Sequence, residues 1–373
     1  MQENPYISTY RNSKSIERVF SAINKLSQSL KKPLKIMEVC GGHTHTIMKY
    51  ALPSLLPKNI EFIHGPGCPV CVMPKNRIDY AYKIAKIKDI ILVTLGDMIK
   101  VPGSYGSLQN ARASGLDVRF VYSPLDVLKI AQENPNKRVV YFAIGFETTT
   151  PMSAALLERV IEQKLENVLI HSNHILVPPP LHSILSAKDC QINALLAPSH
   201  VSVITGSKIY EPLLEQYQIP IVVCGFEPLD VAESLLSILR QVFEGTPKVE
   251  TQYARSVTRE GNLKAQQLVE KYFILDSNFF WRGLGEIPHS SLRLRDEFAK
   301  YDASVVFKDY LGGIAKDDHK NCLCGEILKG NKKPYDCKLF GKACTPQNPL
   351  GSCMVSSEGA CAAYYKYKGI SAS

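Results

Sequence analysis

Seven short, almost unbroken apolar runs punctuate this chain at intervals that leave room for a helix between them: "LKIMEVC" (34–40), "IEFIHG" (60–65), "IILVTLG" (90–96), "RVVYFAIG" (138–145), "NVLIHS" (167–172), "NALLAP" (193–198) and "IPIVVCG" (219–225). Strands that are apolar on both faces have no solvated side, so they belong to a parallel sheet covered by helices above and below. The pattern predicts an α/β protein with two parallel-sheet, Rossmann-like domains. A chain of 373 residues is long enough for more than one core. Ligands of such sheets sit in the crevice beyond the carboxyl ends of the strands, so residues following each run are the first to inspect.

Four segments are expected. Residues 1–33 hold an amphipathic helix with Ile16, Val19, Phe20, Ile23, Leu26 and Leu30 at helical spacing. Residues 34–123 form the first α/β unit. A second unit, 124–248, opens where Pro124 starts a new helix and repeats Gly-Phe-Glu at two strand ends, "AIGFETTTP" and "VVCGFEPLD". From about residue 249 the rhythm stops, and the tail, 249–373, is rich in Cys, Gly, Lys and Pro. A region so poor in apolar residues is expected to be organised by a metal cluster.

The net charge of +9 is spread without a dense basic stripe or an aromatic RNA-binding motif. It implies a solvated basic surface or an acidic protein partner, and no nucleic acid. No run approaches the roughly 18 apolar residues that span a bilayer, and the N-terminus carries no secretory pattern. The expectation is a cytoplasmic protein, where clustered thiols serve metals or redox chemistry more often than structural disulfides.

Three constellations carry chemistry among the eleven cysteines. In "MEVCGGHTHTIMKY" a buried run ends at Cys40, two glycines turn the chain, and His43 and His45 lead into a helix. A thiol at a strand mouth and a helix start is a nucleophile, a metal ligand or a buried structural residue. In "GPGCPVC" Cys68 and Cys71 follow the next strand, which puts them on the same rim. That CxxC suits thiol–disulfide exchange or transient metal handling, with structural zinc as the competing reading. In the tail, Cys322, Cys324, Cys337, Cys344, Cys353 and Cys361 have the irregular, loop-borne spacing of an iron–sulfur cluster, while zinc ribbons prefer paired knuckles. Glu147, Thr148, Thr149 and Glu227 are candidates for the opposite wall of the crevice, or they cap helices.

Together "CGGHTH" (40–45), "GPGCPVC" (65–71), "GFETTTP" (145–151), "GFEPLD" (225–230), "WRGLG" (281–285) and "MVSSEGACAAYY" (354–365) resemble the HypD family of hydrogenase maturation factors, in the family's order over about nine tenths of the chain. The resemblance implies a scaffold that works in complex with the small chaperone HypC. On it the Fe(CN)2(CO) unit of nickel–iron hydrogenases is assembled, with HypE as the transient cyanide donor. Cys40 falls on the iron ligand of the family, Cys68 and Cys71 on a redox pair, and Cys324, Cys337, Cys344 and Cys361 on the ligands of a [4Fe-4S] cluster. Cys322 and Cys353 then look like extras. One departure is "APSHVS", where Ser199 stands where the family usually has Gly before His200. Two other classes compete: a stand-alone iron–sulfur thiol oxidoreductase, which would turn over without HypC, and a structural zinc protein, which would carry zinc and no sulfide.

Overall fold

A computed structural model describes residues 8–311 and 320–367. All seven apolar runs are strands, and their β-branched and aromatic side chains are buried on both faces. In β5 (Arg138–Gly145) Val140, Phe142 and Ile144 enter the main core, while Val139, Tyr141 and Ala143 enter a second core on the other face. This is the period-two division that a doubly covered sheet demands.

Two sheets form. The first, five-stranded and entirely parallel, has the order β2 (Ile60–His64), β1 (Leu34–Glu38), β7 (Ala194–Pro198), β8 (Ile221–Cys224), β9 (Val249–Thr251). The second, six-stranded, has the order β10 (Phe273–Leu275), β13 (Ser291–Leu294), β6 (Val168–Ile175), β5, β3 (Ile90–Leu95), β4 (Val118–Val121). Strands β3 to β6 of the second sheet run parallel, and β10 and β13 add an antiparallel edge. A separate hairpin pairs β11 (Asn278–Trp281) with β12 (Gly285–Pro288).

The sheets are not consecutive in sequence. The expected division at Ser123-Pro124 falls inside the six-stranded sheet, between β4 and β5, and the first sheet takes β1 and β2 from before it and β7 to β9 from after it. Likewise the stretch after residue 249 supplies β9 to one sheet and β10 and β13 to the other. Hydrophobic runs fix that strands exist; which strand pairs with which is decided by the crossovers.

The N-terminal helix, Ser13–Ser27, is capped by Asn12, whose side chain accepts from the Ser15 amide at 3.0 Å. It buries Ile16, Phe20 and Ile23 and packs on the long helix Pro228–Glu244. Among the described residues no helix is long and apolar enough to cross a membrane. The Cys-rich segment 320–367 contains only short helical turns, Cys324–Leu328, Pro334–Asp336, Ser352–Met354 and Ala360–Lys366.

Candidate functional site

In the first sheet the chain leaves β1 toward β2 on one side and meets β7 on the other, so the topological switch point lies between β1 and β7. Cys40 follows β1 there, and His200 follows β7. The Cys40 Sγ lies 3.5 Å from His200 Nδ1 and accepts the Gly42 amide at 3.3 Å as N-cap of the helix Gly41–Lys49. Burial pushes the thiol's pKa well above its ordinary value and lowers that of His200 to about 4. A bound cation would reverse the thiol's preference, favouring thiolate, while the neutral imidazole that burial already favours is the form that binds metal. His200 is the residue that the strand-end argument applied to "NALLAP" finds, since it stands two residues past β7.

The adjacent strand repeats the device. Cys68 follows β2 and caps the short helix Pro69–Val72, its Sγ accepting the Cys71 amide at 3.3 Å. The two turns touch through backbone, with the Gly41 amide donating to the Gly67 carbonyl at 3.1 Å. A Cβ on Gly67 would collide with the Cys40 backbone, which is why the motif needs glycine there. All three rim thiols are buried.

His43 does not face the thiol. Its Nε2 bonds the Cys224 carbonyl at 3.0 Å, its ring lies beside Phe226, and its Nδ1 has no partner. Beside Cys40 an open cleft of about 420 Å³ is lined by Arg11, Gly42, His45, Phe226, Glu227 and Glu358, among others. Glu227 stands at that mouth, holding Arg11 at 2.5 and 2.8 Å and opening the helix Pro228–Glu244 in a capping box with Asp230. Glu147 is half-buried. One oxygen accepts the Val177 amide at 2.9 Å, the other has no partner, and burial raises its pKa to about 7. Thr148 and Thr149 lie on the turn into the helix Thr150–Glu162, where Thr149 is N-cap and packs on Gly145. No hydrogen bond joins either to a thiol among the described residues.

Cys353 had looked like an extra, yet it joins two constellations. Its thiol interacts with those of Cys324 and Cys71, which pushes its pKa below the ordinary thiol value, and the Cys353 contact is the main cause raising that of Cys71. These interactions put the Cys353 thiol beside those of Cys71 and Cys324, and the Cys324 thiol beside that of Cys361. The turn carrying Cys353 is fastened to the CxxC helix by Ser352, whose hydroxyl donates to the Cys71 carbonyl. The "WRGLG" motif pins the other side: the Arg282 amide donates to the Val72 carbonyl at 2.8 Å, and Gly283 lies against Gly325, next to Cys324.

Beyond those contacts, Cys322, Cys324, Cys337, Cys344 and Cys361 line one small pocket with Ile327, Leu339, Phe340 and Met354. Among the described residues no three His, Cys, Asp or Glu side chains converge at the spacing of one bare metal ion. A purely thiol lining in an apolar shell matches the ligand chemistry of iron–sulfur clusters, which bring their own sulfides and so hold the thiolates further apart.

Known proteins resemble this chain over nearly its whole length. The family model HypD, described as the hydrogenase formation hypA family, matches residues 14–368. The chain is 50% identical over 344 residues to hydrogenase maturation factor HypD2 of Bradyrhizobium diazoefficiens and 50% over 343 residues to HypD of Azotobacter vinelandii, covering 90% of each chain in both cases. It is 46% identical over 353 residues to HypD of Escherichia coli, covering 95% of this chain and 94% of that one. With strand ends, thiol motifs and near full-length similarity in accord, the chain belongs to the HypD family.

Proposed function

We propose that this protein is a hydrogenase maturation factor that, in complex with HypC, holds the iron on which the Fe(CN)2(CO) unit is assembled, Cys40 being the protein's thiolate ligand. The observation that carries the reading is the Cys40 thiol at the switch point, beside His200 and next to an open cleft. Few protein donors converge there, so the other ligands of the cargo iron are the diatomic groups, delivered with HypE as cyanide donor, and a thiol of the partner docked in the cleft. Soft thiolate and strong-field ligands suit iron over magnesium or calcium.

Cys68 and Cys71 form the redox pair: closing their disulfide releases two protons to solvent and two electrons, which would leave one at a time through the cluster to the partner reaction that consumes them. The thiol contacts through Cys353 support a route between that pair and a [4Fe-4S] cluster in the Cys-rich pocket. Cys324, Cys337, Cys344 and Cys361 would hold that cluster, with Cys322 lining the same pocket as the competing fourth ligand. Bound there, the cluster supplies one-electron transfer. The chain's own part is to keep water from the thiols and to hold Cys353 between Cys71 and Cys324. The test is Cys40→Ala co-expressed with HypC. The variant is expected to keep iron and acid-labile sulfide in the pocket and to lose the cyanide and carbonyl infrared bands, and bands that persist would refute the assignment of Cys40.

A further inference from the structure

Glu38 ends β1 with its side chain fully buried, where a central strand ordinarily carries an apolar residue. A desolvated carboxylate is costly unless its oxygens are occupied. Here three donors occupy them: the Cys40 amide at 2.9 Å, the Thr44 hydroxyl, and His64 Nδ1 at 2.6 Å. With Nδ1 donating to the carboxylate, Nε2 is left to accept, and the Tyr364 hydroxyl reaches it at 3.1 Å. His64 ends β2, and Tyr364 stands on the helix that carries Cys361. A closed line of hydrogen bonds thus runs from the Cys-rich segment to the backbone of Cys40.

The same segment is docked along the Cys40 helix at two further points. The Tyr367 hydroxyl lies 3.3 Å from His45 Nε2, and Glu358 packs on Gly41 so closely that no Cβ fits there. This contact is separate from the thiol contacts, which leave the Cys-rich segment through Cys353 and meet the CxxC helix instead.

We propose that Glu38, His64 and Tyr364 are positioning residues for Cys40, a buried hydrogen-bonded chain through which the docked Cys-rich segment holds the Cys40 turn in the geometry that receives iron. The proposal rests on the reading of Cys40 as the iron site. Glu38 fixes the amide of Cys40 and, through Thr44, the first turn of its helix, while the Gly42 amide fixes the sulfur. Removing the Tyr364 hydroxyl strands a buried imidazole nitrogen and frees His64 to turn away from Glu38.

The experiment is timed alkylation of the full, reduced chain, purified anaerobically without HypC and with the resident group of its Cys-rich segment left in place, with iodoacetamide, read thiol by thiol by mass spectrometry. In Tyr364→Phe and His64→Leu, Cys40 is expected to react about tenfold faster, the effect of one lost buried hydrogen bond on a local opening. Cys224, equally buried on β8, should keep its rate. His64→Gln, which can still donate to Glu38 and accept from Tyr364, should restore the slow rate. An unchanged Cys40 rate, or all buried thiols speeding up together, overturns the proposal, because a merely structural role loosens the whole fold. If Tyr364→Phe does not fold, the His64→Gln and His64→Leu pair decides alone. No iron at Cys40 is needed, so failure of the iron assignment, tested by Cys40→Ala, shows separately from failure of this chain.

Discussion

The neighbourhood of Cys40 and the Cys-rich segment both display thiols, but they hold them by different physics. Cys40 and Cys68 are N-caps at the ends of adjacent parallel strands, and the strands behind them, Ile36, Met37, Phe62 and Ile63, are almost completely buried. Segment 320–367 has no strand pairing beyond isolated bridges among its described residues, and places its thiols by one-turn helices and loop hydrogen bonds such as the Leu350 amide to Cys344 Sγ at 3.4 Å. A preformed rim can bind and release a passenger without changing shape. The loop-built segment still buries Ile327, Leu328, Phe340, Met354 and Tyr364 in the main core, but its thiols stand on loops, and the group proposed to bind them would add rigidity there.

The largest effect should come from breaking the second region. Cys337→Ala with Cys344→Ala is expected to abolish bound iron and sulfide and to open 320–367 to protease, while far-ultraviolet circular dichroism shows the sheets intact. Loss of the sheets as well would mean that the two regions fold as one. The converse attack is Phe142→Ala, which empties a fully buried site in β5 and should cost about 3–5 kcal/mol in urea unfolding. The residual folded protein is expected to retain its cluster.

Glu147 sharpens the comparison through pH. Its folded pKa, about 7, lies above its ordinary value of 4.5, so between those values the unfolded chain releases the proton and the folded chain keeps it. Stability is then expected to fall as pH rises from about 4.5 to 7, by up to about 3 kcal/mol, and Glu147→Gln should flatten that slope in denaturant titrations at several pH values. Gly67→Ala should cost about 1–3 kcal/mol by forcing the Cys40 backbone aside, with calorimetry as the check. Smallest of all, Arg11→Ala removes a half-exposed ion pair with Glu227 and should change stability by less than about 1 kcal/mol.

Much of the rim was legible in the chain. A thiol directly after an apolar run and followed by glycines sits at a strand mouth, as Cys40 does, and Cys68 and Cys71 follow the Gly-Pro-Gly turn that ends the next strand. The wall opposite was less so: of Glu147, Thr148, Thr149 and Glu227, only Glu227 lines the cleft, because a strand-end position does not state which way a side chain turns. Cys353 was missed as a connector since nothing local distinguishes it from a spare thiol. Glu38 was hidden inside an apolar run, where a single acid passes for a strand-end residue until its three donors are seen.

By itself the sequence determined that the chain alternates buried strands and helices, that thiols gather at two strand ends, and that six cysteines crowd into the tail; its expectation of a tail poor in core did not foresee that Ile327, Leu328, Phe340, Met354 and Tyr364 join the main core. Those features depend on local hydrophobic pattern and turn chemistry, which neighbouring residues encode. Only the tertiary structure decided that β1 pairs with β7 across 160 residues to bring Cys40 to His200, that the two sheets interleave along the chain, and that Tyr364 reaches His64. Such pairings depend on which surfaces bury one another best once the whole chain collapses, and no local pattern carries that information.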